Sequence, residues 1–175
     1  MSTKRLLLAM LLVAAGAAGA SAGGTLEGSD GGATAGGDRA GDATGRVVKV
    51  VDGDTIHVQA AGRREKVRYI GVDTPETKHP SKGVQCYGRQ ASQFNARLVA
   101  GEQVRLVRDV EERDRYGRLL AYVYRVRDGL FVNAELARLG YAQPLAIPPD
   151  VRFADRFAAL AREARDRGRG LWAAC

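Results

Sequence analysis

The chain holds 175 residues, with 27 Lys and Arg against 20 Asp and Glu, a formal net charge of +7 at pH 7. That length allows one folded domain with appendages and excludes a large multidomain assembly. A basic balance of this size argues against a basic partner and suits a polyanion.

At the N-terminus, Lys4 and Arg5 precede an apolar run over residues 6–15, and small residues follow to Ala20-Ser21-Ala22. A charged start, an apolar middle and an A-x-A-like end predict a secretory signal peptide over 1–22, cleaved after Ala22. The run is too short, and too diluted by Ala and Gly, to favour a spanning helix. The mature protein is therefore expected to be secreted, to the medium or a periplasm, without a membrane anchor. Residues 23–45 are mostly Gly, Ala, Ser, Thr and Asp and cannot build a core, so they predict a flexible linker. The folded domain is expected over 46–175. Three basic and four acidic residues precede it, leaving 24 against 16 and a net of +8 on the domain. Nucleic acid is the leading partner for such a charge.

The stretch GRVVKVVDGDTIHVQ reads as a strand, a tight bend at Asp52-Gly53-Asp54, and a second strand carrying Ile56 and Val58. After a turn at Ala61-Gly62-Arg63, residues 66–72 predict a third strand. Val67, Tyr69 and Gly71 would share one face of it, Arg68 and Ile70 the other. Cys86 precedes a helix over 87–99, marked by Ala91, Phe94 and Leu98 and stopped at Gly101. Residues 102–108 and 118–126 predict two more strands. A short helix over 131–139 ends at Gly140. Residues 144–149 read as an extended connection. Asp150 can cap a last helix whose stripe is Phe153, Phe157, Leu160 and Ala164, with Leu171 and Trp172 folding back. Five short strands among helices predict an α+β fold built on a small closed barrel.

Hydrolysis of a phosphodiester needs neutralised phosphate charge, an aimed and deprotonated water, and often a divalent metal with hard oxygen ligands. Asp54 ends the first bend and Asp73 ends the third strand, so two carboxylates can converge at one rim of the sheet. Thr74 can add its backbone carbonyl. Pro75 stiffens the turn that aims Glu76, a candidate general base. Arg68 and Arg118 can grip a phosphate with forked donors, and Gly117 allows backbone to approach a ligand closely. Taken singly, Asp54, Asp73 and Glu76 also read as ordinary turn, loop or surface acids, and each Arg alone reads first as a surface charge. The even cysteine count in an exported chain suggests a Cys86–Cys175 disulfide; two separate thiols are the alternative.

Taken together, VDGDT, VDTPETKHPSKGVQCYG and DRYGRLLAYVY, in that order and over residues 46–172, resemble the staphylococcal nuclease (thermonuclease) family. The resemblance implies a five-stranded OB-type β-barrel with three helices. It implies that Asp54 and Asp73 bind Ca2+ by carboxylate and Thr74 by its carbonyl. Glu76 would act on the attacking water, with Arg68 and Arg118 on the scissile phosphate. Lys82, Arg115 and Tyr116 would bind flanking phosphates, which position substrate without reading its sequence. The implied activity is a calcium-dependent endonuclease on DNA and RNA, favouring single-stranded or frayed substrate and leaving 3′-phosphorylated ends. A monomer is expected. One departure concerns AQPLAIPPD, residues 142–150, where the family's best-known member carries nucleotide-binding tyrosines; base stacking there is expected to be weaker. His57 and His79 match no catalytic role and read as strand-surface and loop residues. Two alternatives remain: a non-catalytic OB-type nucleic-acid-binding module, and a structural protein that uses calcium for stability.

Overall fold

The computed structural model describes residues 42–77 and 83–175. The signal peptide, the linker up to residue 41, His79 and Lys82 lie outside the described residues. Strand β1 (Ala43–Val50) leads through the Asp52 bend into β2 (Thr55–Ala60), and β2 turns into β3 (Arg63–Tyr69). A three-residue strand, β4 (Gly71–Asp73), precedes helix α1 (Gly88–Val99). Strands β5 (Gln103–Val107) and β6 (Leu119–Arg125) follow, then α2 (Val132–Arg138), β7 (Gln143–Leu145), α3 (Ala154–Asp166) and the one-turn α4 (Leu171–Ala174).

Five strands close into a barrel in the order β1-β2-β3-β6-β5. Neighbours are antiparallel except β3 and β6, which run parallel, with Arg68 opposite Leu120. Alternation fills the interior with Val47, Ile56, Val58, Val67, Tyr69, Val104, Leu106, Ala121 and Val123, all buried. Fully burying a branched or aromatic side chain of this kind stabilises by about 1.5–3 kcal/mol. Buried Asn133, on α2, accepts the Val123 N–H at 2.9 Å and donates to the Ile70 carbonyl at 2.9 Å. It satisfies backbone groups that would otherwise be orphaned where β3 ends.

Four expectations are corrected. Ala43, Thr44 and Gly45, assigned to the linker by composition, belong to β1 and pair with Leu106, Arg105 and Val104. Backbone pairing needs no apolar side chain, and at Gly45 any side chain would strike the Gln59 carbonyl and Val58. The third strand is not continuous to residue 72. It breaks at Gly71, whose φ of 80° lies in the left-handed region and whose missing side chain makes room for Phe157. Ile70 is therefore buried rather than sharing the face of Arg68. The connection over 144–149 contains β7, which pairs antiparallel with β4. Asp150 does not cap the last helix; its Oδ1 accepts the N–H groups of Val110 and Glu111, both at 2.9 Å, while α3 starts at Ala154.

Cys86, before α1, and Cys175, after α4, form a disulfide with Cα atoms 6.0 Å apart. No helix among the described residues is long and apolar enough to cross a membrane.

Candidate active site at the barrel rim

The β-barrel brings residues far apart in sequence to one rim. Asp54 and Thr55 open β2, and Thr55 pairs directly with Arg68 near the end of β3. Asp73 closes β4, with Thr74, Pro75 and Glu76 just beyond. Arg118 precedes β6, the parallel partner of β3. All of these, with Asp52, line one cleft of about 190 Å³. Arg115 and Tyr116 line a neighbouring cavity of about 490 Å³, which shares Arg68 and Arg118 with the cleft.

Each group in the cleft is held. Asp54 is 5% exposed, and its Oδ2 accepts the Thr74 N–H at 2.8 Å and the Thr74 hydroxyl at 2.9 Å. Its Oδ1 accepts the Thr55 hydroxyl at 3.1 Å. The Arg68 guanidinium lies between both strands' acids, 2.7 Å from Asp73 and 3.3 Å from Asp54, and also donates to the Val72 carbonyl at 2.8 Å. The backbone of Glu76 is bracketed by Gln85: the Glu76 N–H donates to Gln85 Oε1 at 2.8 Å, and the Gln85 N–H donates to the Glu76 carbonyl at 2.9 Å. Gly88 lets this bracket close, because a Cβ there would stand 2.9 Å from the Glu76 carbonyl oxygen.

Two residues that the sequence reading left in the background organise the site. Asp114 accepts the Arg118 N–H at 2.9 Å and the Arg118 Nε at 2.6 Å, as well as the Tyr116 N–H at 2.9 Å. Burial draws its pKa up, but these hydrogen bonds outweigh burial and leave it lowered. The signal was an Asx turn, D-x-x-G-R. Gly117 serves that turn with a φ of 75°. The other residue is Asp52, pushed up to about 6 first by burial and then by the charge of Asp54. Asp73 is also raised, by burial and by Asp54 and Glu76, against the pull of Arg68 and Arg118.

Burial is the first cause of the upward shifts at Asp52 and Asp73, and neighbouring negative charge adds to it. Four acids, Asp52, Asp54, Asp73 and Glu76, share the cleft with two arginines, so the ionised set carries two excess negative charges. Its donors are all oxygen, the chemistry of a hard divalent cation, and two excess negative charges match one such ion. Among the described residues no group of three or more His, Cys, Asp or Glu side chains stands at ligating spacing. A cation here would take Asp54, Asp73 and the Thr74 carbonyl, with water completing its shell.

The barrel and its acid-and-arginine rim define a nucleic-acid-handling domain. Residues 66–174 match the family model described as staphylococcal nuclease homologue. A thermonuclease of Staphylococcus hyicus is 40% identical over 129 residues, spanning 74% of this chain and 75% of that protein. A thermonuclease of Staphylococcus intermedius is 41% identical over 126 residues, 72% of this chain and 74% of the relative. Endonuclease YncB of Bacillus subtilis is 41% identical over 126 residues, 71% of this chain and 59% of that protein. The chain belongs to the staphylococcal nuclease family. It is a nuclease, and nucleic acid is its substrate.

Proposed function

We propose that this nuclease is an exported, calcium-dependent endonuclease that hydrolyses phosphodiester bonds of DNA and RNA with little sequence preference and leaves 3′-phosphorylated ends. The observation that carries the reading is the single cleft holding Asp54, Asp73, Glu76, Arg68 and Arg118. Asp54, Asp73 and the Thr74 carbonyl would hold calcium, which when bound supplies positive charge and a polarised water.

The chain's own groups do the rest. Arg118 keeps its Nε on Asp114, so its terminal nitrogens can grip two phosphate oxygens from a fixed position. Arg68 spans Asp54 and Asp73 and can pass one arm to the phosphate as its charge grows. Glu76, its backbone bracketed by Gln85, takes the proton of the attacking water. The water oxygen bonds to phosphorus, the bond to the 5′ oxygen breaks, that oxygen takes a proton from solvent and leaves as the 5′ hydroxyl, and the phosphate stays on the 3′ side. Arg115 and Tyr116 flank the site, with the Arg115 guanidinium 4.8 Å from the ring centroid. With Lys82 they would contact neighbouring phosphates. The adjoining cavity sets aliphatic Leu145 and Ile147 beside polar Glu111, Arg115 and Tyr116.

The test is cleavage of a single-stranded oligonucleotide by wild type and Glu76→Gln, with binding measured in parallel. Loss of the base should lower the rate roughly 10²–10⁴-fold while affinity stays near normal. Binding without cutting by the wild type would instead identify a non-catalytic module.

A further inference from the structure

Part of the domain's positive charge lies outside the cleft. Arg64, Lys66 and Arg68 occupy every second position of β3, so they share the outer face of the barrel while Val67 and Tyr69 fill its interior. Arg68 lies in the cleft. Lys66 and Arg64 lead away from it in steps of about 6.6 Å, about 13 Å in all. The adjacent strands widen this row. Lys66 pairs with His57 on β2, and His57 pairs with Lys49 on β1. A bulge between Val47 and Lys49 leaves Val48 over and sets Lys49 opposite His57. Arg64 Nε donates to His57 Nδ1 at 3.2 Å, so the imidazole is an acceptor there. Burial, then the charges of Arg64, Lys49 and Lys66, hold the His57 pKa below its usual value.

Several arginines elsewhere pair with acids, as in Arg105–Asp42, Arg125–Asp128 and Arg152–Asp109, while others, such as Arg63 and Arg89, have no ion pair among the described residues. Among the described residues, Lys49, Arg64 and Lys66 have no ion pair, and the acid between the last two, Glu65, is engaged 2.9 Å away by Arg113. Lys49 and Lys66 each face His57 across the ladder and Arg64 faces Gln59, so no acid lies opposite any of the three.

We propose that Lys49, Lys66 and Arg64, leading from Arg68, form an extended subsite for backbone phosphates of the substrate strand beyond the one being cleaved. The proposal rests on reading the cleft as the cleavage site. A strand held at its scissile phosphate by Arg68 and Arg118 can lay its next phosphates over Lys66 and Arg64. Lysine and arginine on phosphates read no base. The row therefore selects for polymer length, and long polynucleotides are better substrates than short ones.

The test is the triple variant Lys49→Gln, Arg64→Gln, Lys66→Gln. Steady-state cleavage is measured on a long oligothymidylate and on a thymidine dinucleotide, whose single phosphodiester has no neighbouring phosphate. Affinity for the long strand is measured by fluorescence anisotropy with chelator present, between about 50 and 200 mM salt. The expected result is a roughly tenfold or greater rise in KM and Kd for the long strand and a salt slope shallower by about 2, from three contacts at about 0.7 each. The kcat and the dinucleotide KM stay unchanged, and the melting temperature does not fall. An unchanged long-strand KM and salt slope, or an equal loss on the dinucleotide, would overturn the proposal. So would a variant that loses heparin binding but keeps the long strand. A wild type that binds the long strand without cutting it counts against the cleft reading alone, because the anisotropy series still decides the role of the row.

Discussion

Replacing Cys86 and Cys175 by serine should cost both stability and turnover, by separable routes. The bond closes a loop with a sequence separation of 89. The chain-entropy relation for a loop of that length gives roughly 4–5 kcal/mol at 25 °C. That is a large share of the roughly 5–15 kcal/mol that holds a typical domain together. For a folded domain of about 130 residues it corresponds to a fall in melting temperature of roughly 15–18 °C. The effect on turnover follows from position. Cys86 adjoins Gln85, whose side chain and backbone bracket the Glu76 backbone at 2.8 and 2.9 Å. Freed from the C-terminus, that segment holds Glu76 less firmly, so kcat should fall severalfold well below the melting temperature with KM unchanged. The assay compares thermal unfolding and steady-state cleavage for oxidised wild type, wild type in reductant and the double serine variant. Coincident melting curves for all three would refute the stability reasoning. Equal kcat at a temperature where all are folded would refute the link to Glu76.

Arg118→Lys should lower kcat by roughly 10²-fold, because one ammonium cannot hold Asp114 and grip two phosphate oxygens together; steady-state kinetics would show it. Gly88→Ala adds a Cβ 2.9 Å from the Glu76 carbonyl oxygen and 3.0 Å from that of Pro75. It should lower kcat more than it raises KM, with a small drop in melting temperature. Asp128 titrates at about 2 rather than 3.8, chiefly because Arg125 hydrogen-bonds its carboxylate. A carboxylate with a lowered folded-state pKa stabilises above the unfolded value and loses that contribution as pH falls through the folded one. Wild type should therefore melt above Asp128→Asn at neutral pH, and the two curves should converge as pH drops from 3.8 to about 2.

Period-two alternation made β2 and β5 legible, because Ile56 and Val58, and Val104 and Leu106, fill the barrel interior, whereas β6 buries Ala121, Tyr122 and Val123 in succession and is covered on both faces. Helix α1 was legible through its stripe and Gly101. The break at Gly71 was not, since it depends on Phe157 arriving from α3, a contact with no local trace. Strand β7 was missed because three exposed residues including a proline carry no alternation. In the site, Asp54, Asp73 and Glu76 could be named because their types and order match known chemistry. Asp114 could not, because its task is to hold Arg118 through hydrogen bonds that close only when the DRYGR turn forms. Asp52 looked like any turn acid; burial and the neighbouring Asp54 make it distinctive.

On the proposed function, Asp54 and Asp73 would hold a calcium ion without which the cleft does not cut. The most direct test is the single-turnover cleavage rate of a single-stranded oligonucleotide against free calcium, for wild type and Asp54→Asn. The rate should saturate with calcium, vanish with chelator, and need far more calcium in the variant. Cleavage that continues undiminished in chelator, or a variant curve superimposed on the wild type, would contradict it.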